Sequence, residues 1–177
     1  MYFLIFLKKI EWRLIQFFKL KKFKSVWVWA EICFWVFSDV GCIDIGDYVY
    51  IGEWAIFHAA WWISIWSWTI IWPNVLIRSS NHPYKNQEFI PYGFWIEERK
   101  VFIWENCWIW EWVKIIPWAV IWEWSIIWMW AVVGWKIPPM SIVVWNPWKV
   151  IKTRDVDMYQ KAKEKWNIYL KHKFIKK

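Results

Sequence analysis

His82 is the residue of this chain whose type and setting point most directly to chemistry. The chain has 3 histidines in 177 residues, and His82 lies in a polar stretch with Pro83, Asn86, Gln87 and Glu88. An imidazole has an unperturbed pKa of about 6.5, so a neutral ring that can accept a proton is available at physiological pH. Such a stretch is typical of a functional loop on a rigid scaffold. The alternative is that His82 is a solvated loop residue without a role.

The other histidines and the cysteines give weaker indications. His58 follows an apolar residue, and it either lines a binding site or has a structural role. His172 lies in a Lys-rich tail and is predicted to be solvated. Cys33, Cys42 and Cys107 are odd in number and lack CxxC spacing, which is typical of free thiols in a reducing compartment.

Charge is concentrated at the two ends of the chain. Residues 1–24 carry a net charge of +6 and residues 149–177 a net charge of +7, whereas residues 25–148 carry −5. A nucleic-acid groove needs Lys and Arg clustered on the folded body, so nucleic acid is not favoured as a partner. The sequence also lacks the long uncharged apolar run that a membrane-spanning helix requires.

A six-residue repeat indicates the scaffold that positions these residues. Apolar residues recur at this spacing in two blocks: Ile103, Ile109, Ile115, Ile121, Ile127 and Val133, and earlier Ile45, Ile51, Phe57, Ile65, Ile71 and Ile77, with two extra residues before Ile65. Most residues four positions later are small or medium, and Trp61 is the misfit. An α-helix cannot use this period, because successive repeats would rotate by about 120°. The repeat therefore predicts a triangular solenoid with three hexapeptides per coil, and residues 78–102 leave it as a loop.

Tryptophan, present 24 times against 5 glycines, follows the same repeat. Six tryptophans stand directly after the stacking residue (66, 72, 104, 110, 122 and 128), and six more stand three positions after it (54, 68, 112, 118, 124 and 130). Asn74 and Asn106 also occupy the third position, which is predicted to be a turn with positive φ that favours Gly or Asn. Either the indoles form stacked ladders outside the solenoid, or they replace smaller residues through engineering or an error in the sequence. An intact mass near 22.2 kDa would show that they are present.

Residues 43–153 resemble the hexapeptide-repeat acyltransferases, above all the maltose, galactoside and polysaccharide O-acetyltransferases of bacteria. Residues 71–83 look like the family's coil that ends in a His-Pro loop, and residues 103–109 look like its Asn- and Trp-containing coil. Residues 137–151 look like its closing Pro-rich signature. The chain departs from the family at Trp145, Trp148 and residues 134–136.

The repeat and the resemblance indicate an all-β solenoid, a left-handed parallel β-helix, and the residues at the two ends indicate short helical N- and C-terminal extensions. Residues 1–24 are predicted to form a basic amphipathic helix, residues 25–148 the β-helix with the loop 78–102, and residues 149–177 a basic helical tail. The implied activity is acetyl-CoA-dependent O-acetylation of a sugar or surface-polysaccharide precursor, with direct transfer to the acceptor. The implied assembly is a homotrimer with active sites between subunits, located in the cytoplasm or at the inner face of the membrane.

The resemblance also implies roles for individual residues. His82 corresponds to the general base, and the substrate-binding residues are Trp108, Asn81, Tyr84 and His58. Small residues along one edge and two basic residues near the nucleotide phosphate correspond to the cofactor site: Ala119, Ser125, Ala131, Gly134, Lys149 and Lys152. No metal is expected. The alternatives are packing between subunits for Trp108 and ordinary solvated charges for the lysines.

Three questions stay open. The N-terminal segment 1–24 either lies on an anionic membrane surface or caps the first coil of the solenoid. A second enzyme hypothesis, a metal-dependent carbonic anhydrase on the same fold, needs three His ligands, but Gln87 stands where the second would follow His82. The non-enzyme hypothesis is a structural or interaction solenoid with aromatic ladders as its binding face.

Overall fold

The structure, a computed structural model, describes residues 25–26, 31–32, 35–83, 85 and 91–175. In chain order the strands are β1 (Ser25–Val26), β2 (Glu31–Ile32), β3 (Trp35–Ser38), β4 (Ile43–Ile45), β5 (Tyr50–Ile51), β6 (Ala55–His58), β7 (Ile63–Ile65), β8 (Ile70–Ile71), β9 (Leu76–Arg78), β10 (Ser80–Asn81), β11 (Glu97–Glu98), β12 (Val101–Ile103), β13 (Trp108–Ile109), β14 (Lys114–Ile115), β15 (Val120–Ile121), β16 (Ile126–Ile127), β17 (Val132–Val133), β18 (Lys136–Ile137), β19 (Ser141–Val144) and β20 (Lys149–Thr153). A 3-10 turn spans Val40–Cys42, and two helices follow the strands, α1 (Val156–Glu164) and α2 (Tyr169–Ile175).

Three parallel sheets form the walls of a prism. The first wall is ordered β1-β4-β7-β12-β15-β18, the second β2-β5-β8-β13-β16-β19-β20, and the third β17-β14-β9-β6-β3. From β1 to β9 and from β12 to β19, consecutive strands along the chain belong to consecutive walls, so three short strands make one coil and each coil pairs with the next. This confirms the predicted left-handed parallel β-helix, with about 5 turns.

The stacked residues of the repeat fill the hollow of the prism. On the first wall Ile65 pairs in register with Ile103, which pairs with Ile121. All twelve stacking residues of the two blocks are buried. A fully buried branched aliphatic side chain contributes about 1.5–3 kcal/mol relative to an exposed one, so these columns are the main stabilising feature of the fold.

The corners of the prism have the backbone that the repeat predicts. All six tryptophans three positions after a stacking residue have positive φ, between 56° at Trp124 and 75° at Trp118. Asn74 and Asn106 adopt the same conformation with φ of 61° and 59°. The direct neighbours of the stacking residues form outer ladders, in which Trp104 stacks on Trp66 at 4.6 Å and on Trp122 at 4.8 Å between ring centroids.

The two extra residues of the repeat are accommodated at one irregular corner. Trp61, the predicted misfit, is exposed, and Ala59 and Ile63 are buried beside it. The buried Ser79 of the next coil closes this corner. Its Oγ accepts a hydrogen bond from the Trp61 backbone N–H at 2.9 Å and donates to the Trp61 carbonyl at 2.8 Å.

The C-terminal segment begins as a strand and not, as predicted, as a helix. Strand β20 runs antiparallel to β19 and extends the second wall, because β19 has a free edge after the last coil. Helix α1 then starts at a side-chain cap, where Asp155 Oδ1 accepts from the Met158 N–H at 3.0 Å. Lys173 in α2 pairs with Glu31 at 3.2 Å, which places α2 beside β2, the first strand of the second wall.

The predicted amphipathic helix at residues 1–24 lies outside the described residues. Within the part of the chain that the structure describes, no helix has both the length and the apolar character needed to cross a bilayer.

Candidate functional site

The loop that carries His82 is attached to the corner between the third and first walls. The chain leaves the third wall after β9, which ends at Arg78, and rejoins the first wall at Val101. Residues 79–100 are called the excursion loop below. Its base is closed by β10 and β11, in which Asn81 pairs with Glu97. The Arg99 N–H also donates to the Ser79 carbonyl at 2.7 Å, so the two ends of the loop are tied to each other.

The backbone of the excursion loop fixes the tautomer of His82. Nδ1 lies 3.2 Å from the carbonyl oxygen of Trp95. Because a carbonyl oxygen can only accept, this hydrogen bond requires the proton on Nδ1 and leaves the Nε2 lone pair of the neutral ring to take a proton. The imidazole also stacks on Tyr92 with 4.2 Å between ring centroids. The side chain is therefore held in position, with Nε2 of the neutral ring available to accept a hydrogen bond or a proton.

A cation–π contact fastens the excursion loop to the next coil. The Arg99 guanidinium lies 4.1 Å above the ring of Trp118, and its Nη2 is 2.9 Å from Glu97 Oε1. Trp118 in turn lies 6.0 Å from Trp135 of the following coil. The edge formed by residues 116–119 and 134–135 is called the loop corner below. It continues the line of the excursion loop along the axis of the prism.

The other predicted substrate residues lie at different distances from this corner. Asn81 is exposed at the base of the excursion loop, next to His82. His58 pairs in register with Arg78, the last residue before the loop. Burial, and next the charge of Arg78, lower the pKa of His58 below its usual value, so its ring stays neutral to lower pH. Tyr84 lies outside the described residues.

Trp108 lies on the second wall, away from the corner that carries the excursion loop and His82. It belongs to β13 of the second wall, where it packs on Trp110 at 4.7 Å between ring centroids. It lines a cavity of about 870 Å³ between this wall and helices α1 and α2, which also has Tyr159 and Lys163 in its lining. The buried Nε1 of Trp108 has no hydrogen-bond partner among the described residues. Within one chain, the structure does not bring Trp108 to His82.

The small residues predicted to bind the cofactor do not share one edge. Ala119, Ser125 and Ala131 are buried, and they follow one another at three successive corners because each precedes a strand of a different wall. The N–H groups of Ala119 and Ala131 are used within the turns, by the carbonyls of Ile116 and Trp128. Of the four small residues predicted to bind the cofactor, Ala119 and Gly134 lie at the loop corner.

Lys149 and Lys152 lie on β20, at the end of the second wall. Both side chains are exposed, and they pair in register with Val144 and Ile142 of β19. The structure places these lysines beyond the last coil of the second wall and not at the loop corner. Their predicted contact with a nucleotide phosphate stays a prediction.

Two contacts of the candidate site were not predicted from the sequence. The carbonyl of Trp95 orients His82, but a backbone carbonyl leaves no signal in residue type. Arg99 fastens the excursion loop, and the only sequence signal was a basic residue just before the repeat resumes at Val101. Among the described residues there is no group of three or more His, Cys, Asp or Glu side chains that could hold a metal ion.

The fold and the six-residue repeat define a class, the left-handed β-helix proteins built from hexapeptide repeats. Comparison with solved structures agrees. A maltose O-acetyltransferase from Clostridium difficile 630 is 28% identical with a TM-score of 0.70, and the match covers 76% of this chain and 72% of that one. A galactoside acetyltransferase in complex with coenzyme A is 22% identical with a TM-score of 0.64, covering 76% of this chain and 66% of that one. The chain therefore spans slightly less than two thirds of the second protein.

A third similar structure is an N-acyltransferase from Bacillus cereus, in complex with dTDP-4-amino-4,6-dideoxyglucose and coenzyme A. It is 17% identical with a TM-score of 0.71, and the match covers 86% of this chain and 95% of that one. No protein-family model matches the sequence, and no curated protein matches it. In its fold the chain is therefore similar to acetyltransferases and acyltransferases of known structure.

Proposed function

We propose that the protein is an acetyl-CoA-dependent O-acetyltransferase that modifies a hydroxyl of a sugar or of a surface-polysaccharide precursor. The observation that carries the proposal is His82, whose Nδ1 is held by the Trp95 carbonyl so that Nε2 is the basic atom. The similarity to a maltose O-acetyltransferase supports the type of reaction. The complexes of the other two structures with coenzyme A support the donor.

The proposed reaction is a direct transfer. Nε2 of His82 removes the proton of the acceptor hydroxyl as its oxygen attacks the thioester carbonyl. The new O–C bond forms, the C–S bond breaks, and the proton passes from the imidazolium to the departing thiolate. The Trp95 carbonyl stabilises the imidazolium formed in between, because it accepts from Nδ1–H in both protonation states. Backbone N–H groups are proposed to stabilise the oxyanion.

The proposed assembly is a homotrimer whose sites lie between subunits. In one chain, His82 belongs to the corner between the third and first walls, whereas Trp108 belongs to the second wall. If both contribute to one site, as the family resemblance implies, they must come from two chains. The cavity beside Trp108 would then belong to the face that receives a neighbour's excursion loop. A cytoplasmic location, with residues 1–24 on the inner face of the membrane, completes the proposal.

The central experiment measures thiol release from acetyl-CoA across a panel of sugar acceptors. We expect His82→Ala to lower the acceptor-dependent rate by about 10²- to 10⁴-fold, the usual contribution of a general base. His172→Ala is the matched control, because His172 is exposed on α2 and its ring bonds only Asn167 among the described residues, so the rate of this variant should stay unchanged. A His82→Ala protein with the full rate would overturn the role of His82. If no sugar of the panel gives thiol release, the result would favour the hypothesis of a structural or interaction solenoid.

A second experiment tests the phosphate contact proposed for Lys149. Affinity for coenzyme A and for dephospho-coenzyme A is compared in the unchanged protein and in Lys149→Ala. If Lys149 contacts the nucleotide phosphate, only the affinity for coenzyme A falls. An equal loss for both ligands counts against that contact. Lys114→Ala is the control, since Lys114 is an exposed lysine on the third wall.

A further inference from the structure

Positive φ is the first of two structural demands that the tryptophans of the repeat do not meet. Fourteen described residues have positive φ, and none of them is glycine. Eight are tryptophans of the solenoid: Trp54, Trp68, Trp112, Trp118, Trp124, Trp130, Trp135 and Trp145. Each side chain at left-handed φ costs about 1–2 kcal/mol, so the eight together cost roughly 8–16 kcal/mol. That is as large as the whole net stability of a typical domain, about 5–15 kcal/mol.

Close approach of the next coil is the second demand. Gly46 and Gly52 stand directly after stacking residues, and a Cβ at either would lie 2.6 Å from a backbone nitrogen, that of Ser67 or of Pro73. Gly134 occupies the same place in its repeat, and a Cβ there would lie 2.6 Å from Cγ1 of Ile116. Six other repeats have tryptophan at this place. The same structural position is therefore filled by the smallest residue in some repeats and by the largest in others.

The two demands are independent, and glycine is the residue that meets both. It adopts positive φ without a Cβ penalty, and it lets another backbone approach closely. Trp108 is the contrast, because it is the last residue of its hexapeptide and pairs as an ordinary strand residue with Ile70 and Ile126. A drift of the sequence by separate mutations would produce several residue types at these places. Nine of the fourteen described residues with positive φ are tryptophans, and the other five are Asp39, Tyr48, Asn74, Asn106 and Met140. The dominance of one residue type where glycine fits best points to a single cause.

We propose that the protein carries glycine at these fourteen tryptophan positions in the cells that make it, because their codons are UGA and are read there as glycine. Tryptophan has the ordinary codon UGG, and UGA, a stop codon in the common genetic code, is read as tryptophan in some codes and as glycine in others. Gly46, Gly52 and Gly134 then have ordinary glycine codons. The fourteen positions are the eight corner residues above together with Trp66, Trp72, Trp104, Trp110, Trp122 and Trp128.

Glycine in place of tryptophan also changes the surface beneath the excursion loop. Trp118 and Trp135 are exposed at the loop corner, and Arg99 stacks on the first of them. With glycine at both positions, the backbone of this corner is uncovered and the Arg99 guanidinium is released from the indole. Small residues along this edge are what the proposed cofactor site requires. This consequence rests on the proposed function, whereas the codon assignment does not.

The test compares the gene with the protein purified from its own cells. We expect UGA at the fourteen positions and UGG at Trp108, and peptides from the native protein with glycine at the former and tryptophan at the latter. The intact mass should fall below the 22.2 kDa of the tryptophan-bearing chain by the combined difference of these side chains. UGG codons at the fourteen positions, or native peptides that contain tryptophan there, would overturn the proposal. Neither result depends on enzymatic activity, so a failure here is separate from a failure of the proposed function.

Discussion

Replacing Trp145 should make the protein more stable, although it removes a large side chain. Trp145 has φ of 74°, and its side chain is 72% exposed, so the indole contributes little burial. Removing the Cβ relieves about 1–2 kcal/mol of backbone strain. Glycine has more conformational freedom in the unfolded chain, which costs about 0.5–1 kcal/mol. The net expectation for Trp145→Gly is a rise of roughly 0.5–1 kcal/mol in the free energy of unfolding.

The matched control is Trp145→Ala, which removes the same indole but keeps the Cβ. Urea unfolding and the Tm of both variants are measured beside the unchanged protein. The glycine variant should exceed the alanine variant by about 1 kcal/mol, which corresponds to about 2–4 °C in Tm for a chain of this size. At Trp108, which has ordinary strand pairing, the order should reverse, because glycine costs about 0.5–1 kcal/mol more than alanine there.

The sign of the difference between glycine and alanine decides the outcome. Equal stability of the two variants at position 145, or an advantage for alanine, would show that the corner does not strain a Cβ. Glycine would then have no advantage at these corners, and the assignment of glycine there would be wrong as well. A second corner, Trp130 with φ of 66°, should repeat the result, reduced by the loss of its stacking on Trp112 at 5.3 Å.

Three further predictions concern buried and capping groups. Burial raises the pKa of the Cys107 thiol to about 12, so alkylation at pH 8 should modify Cys42 in the native protein and reach Cys107 only after unfolding; native labelling of Cys107 would contradict this. Ser79→Ala should cost about 1–3 kcal/mol by leaving the Trp61 backbone groups without their partner, and Ser79→Thr, which keeps the hydroxyl, should cost less. Asp155→Ala should cost about 1 kcal/mol through loss of the α1 cap, whereas Asp155→Asn should be nearly neutral; equal losses in the two variants would remove the cap as the cause.

The scaffold could be predicted because its determinants are local and repeated. A stacking residue every sixth position imposes the same burial and the same turn in each coil, so the columns and the positive-φ corners follow from spacing alone. The gap between Ile77 and Ile103 likewise shows where the chain leaves the prism. Each of these features depends on residues a few positions apart.

The contacts of the candidate site could not be predicted in the same way. The hydrogen bond of His82 to the Trp95 carbonyl depends on how an irregular loop folds back over 13 residues. The small residues 119, 125 and 131 were expected on one edge, but a six-residue step moves each to the next wall, and only a step of three hexapeptides returns to the same corner. Strand β20 forms because the last coil leaves an unpaired edge, which is a property of the whole fold and not of residues 149–153.

The position of the excursion loop explains how a repeat protein can acquire a reactive side chain without loss of its core. Ile77 ends one coil on the third wall and Ile103 begins the next on the first wall, so the two are consecutive stacking residues despite the inserted segment. The insertion therefore adds no gap to the columns, and its ends are bonded to each other through Arg99 and Ser79. Because the coils on either side remain paired, as β7 with β12 and β9 with β14, the solenoid stays rigid beneath the loop. Because the base is rigid, the sequence of the loop can change without changing the columns that stabilise the fold. The surroundings of His82 can therefore adapt to an acceptor while the core stays the same.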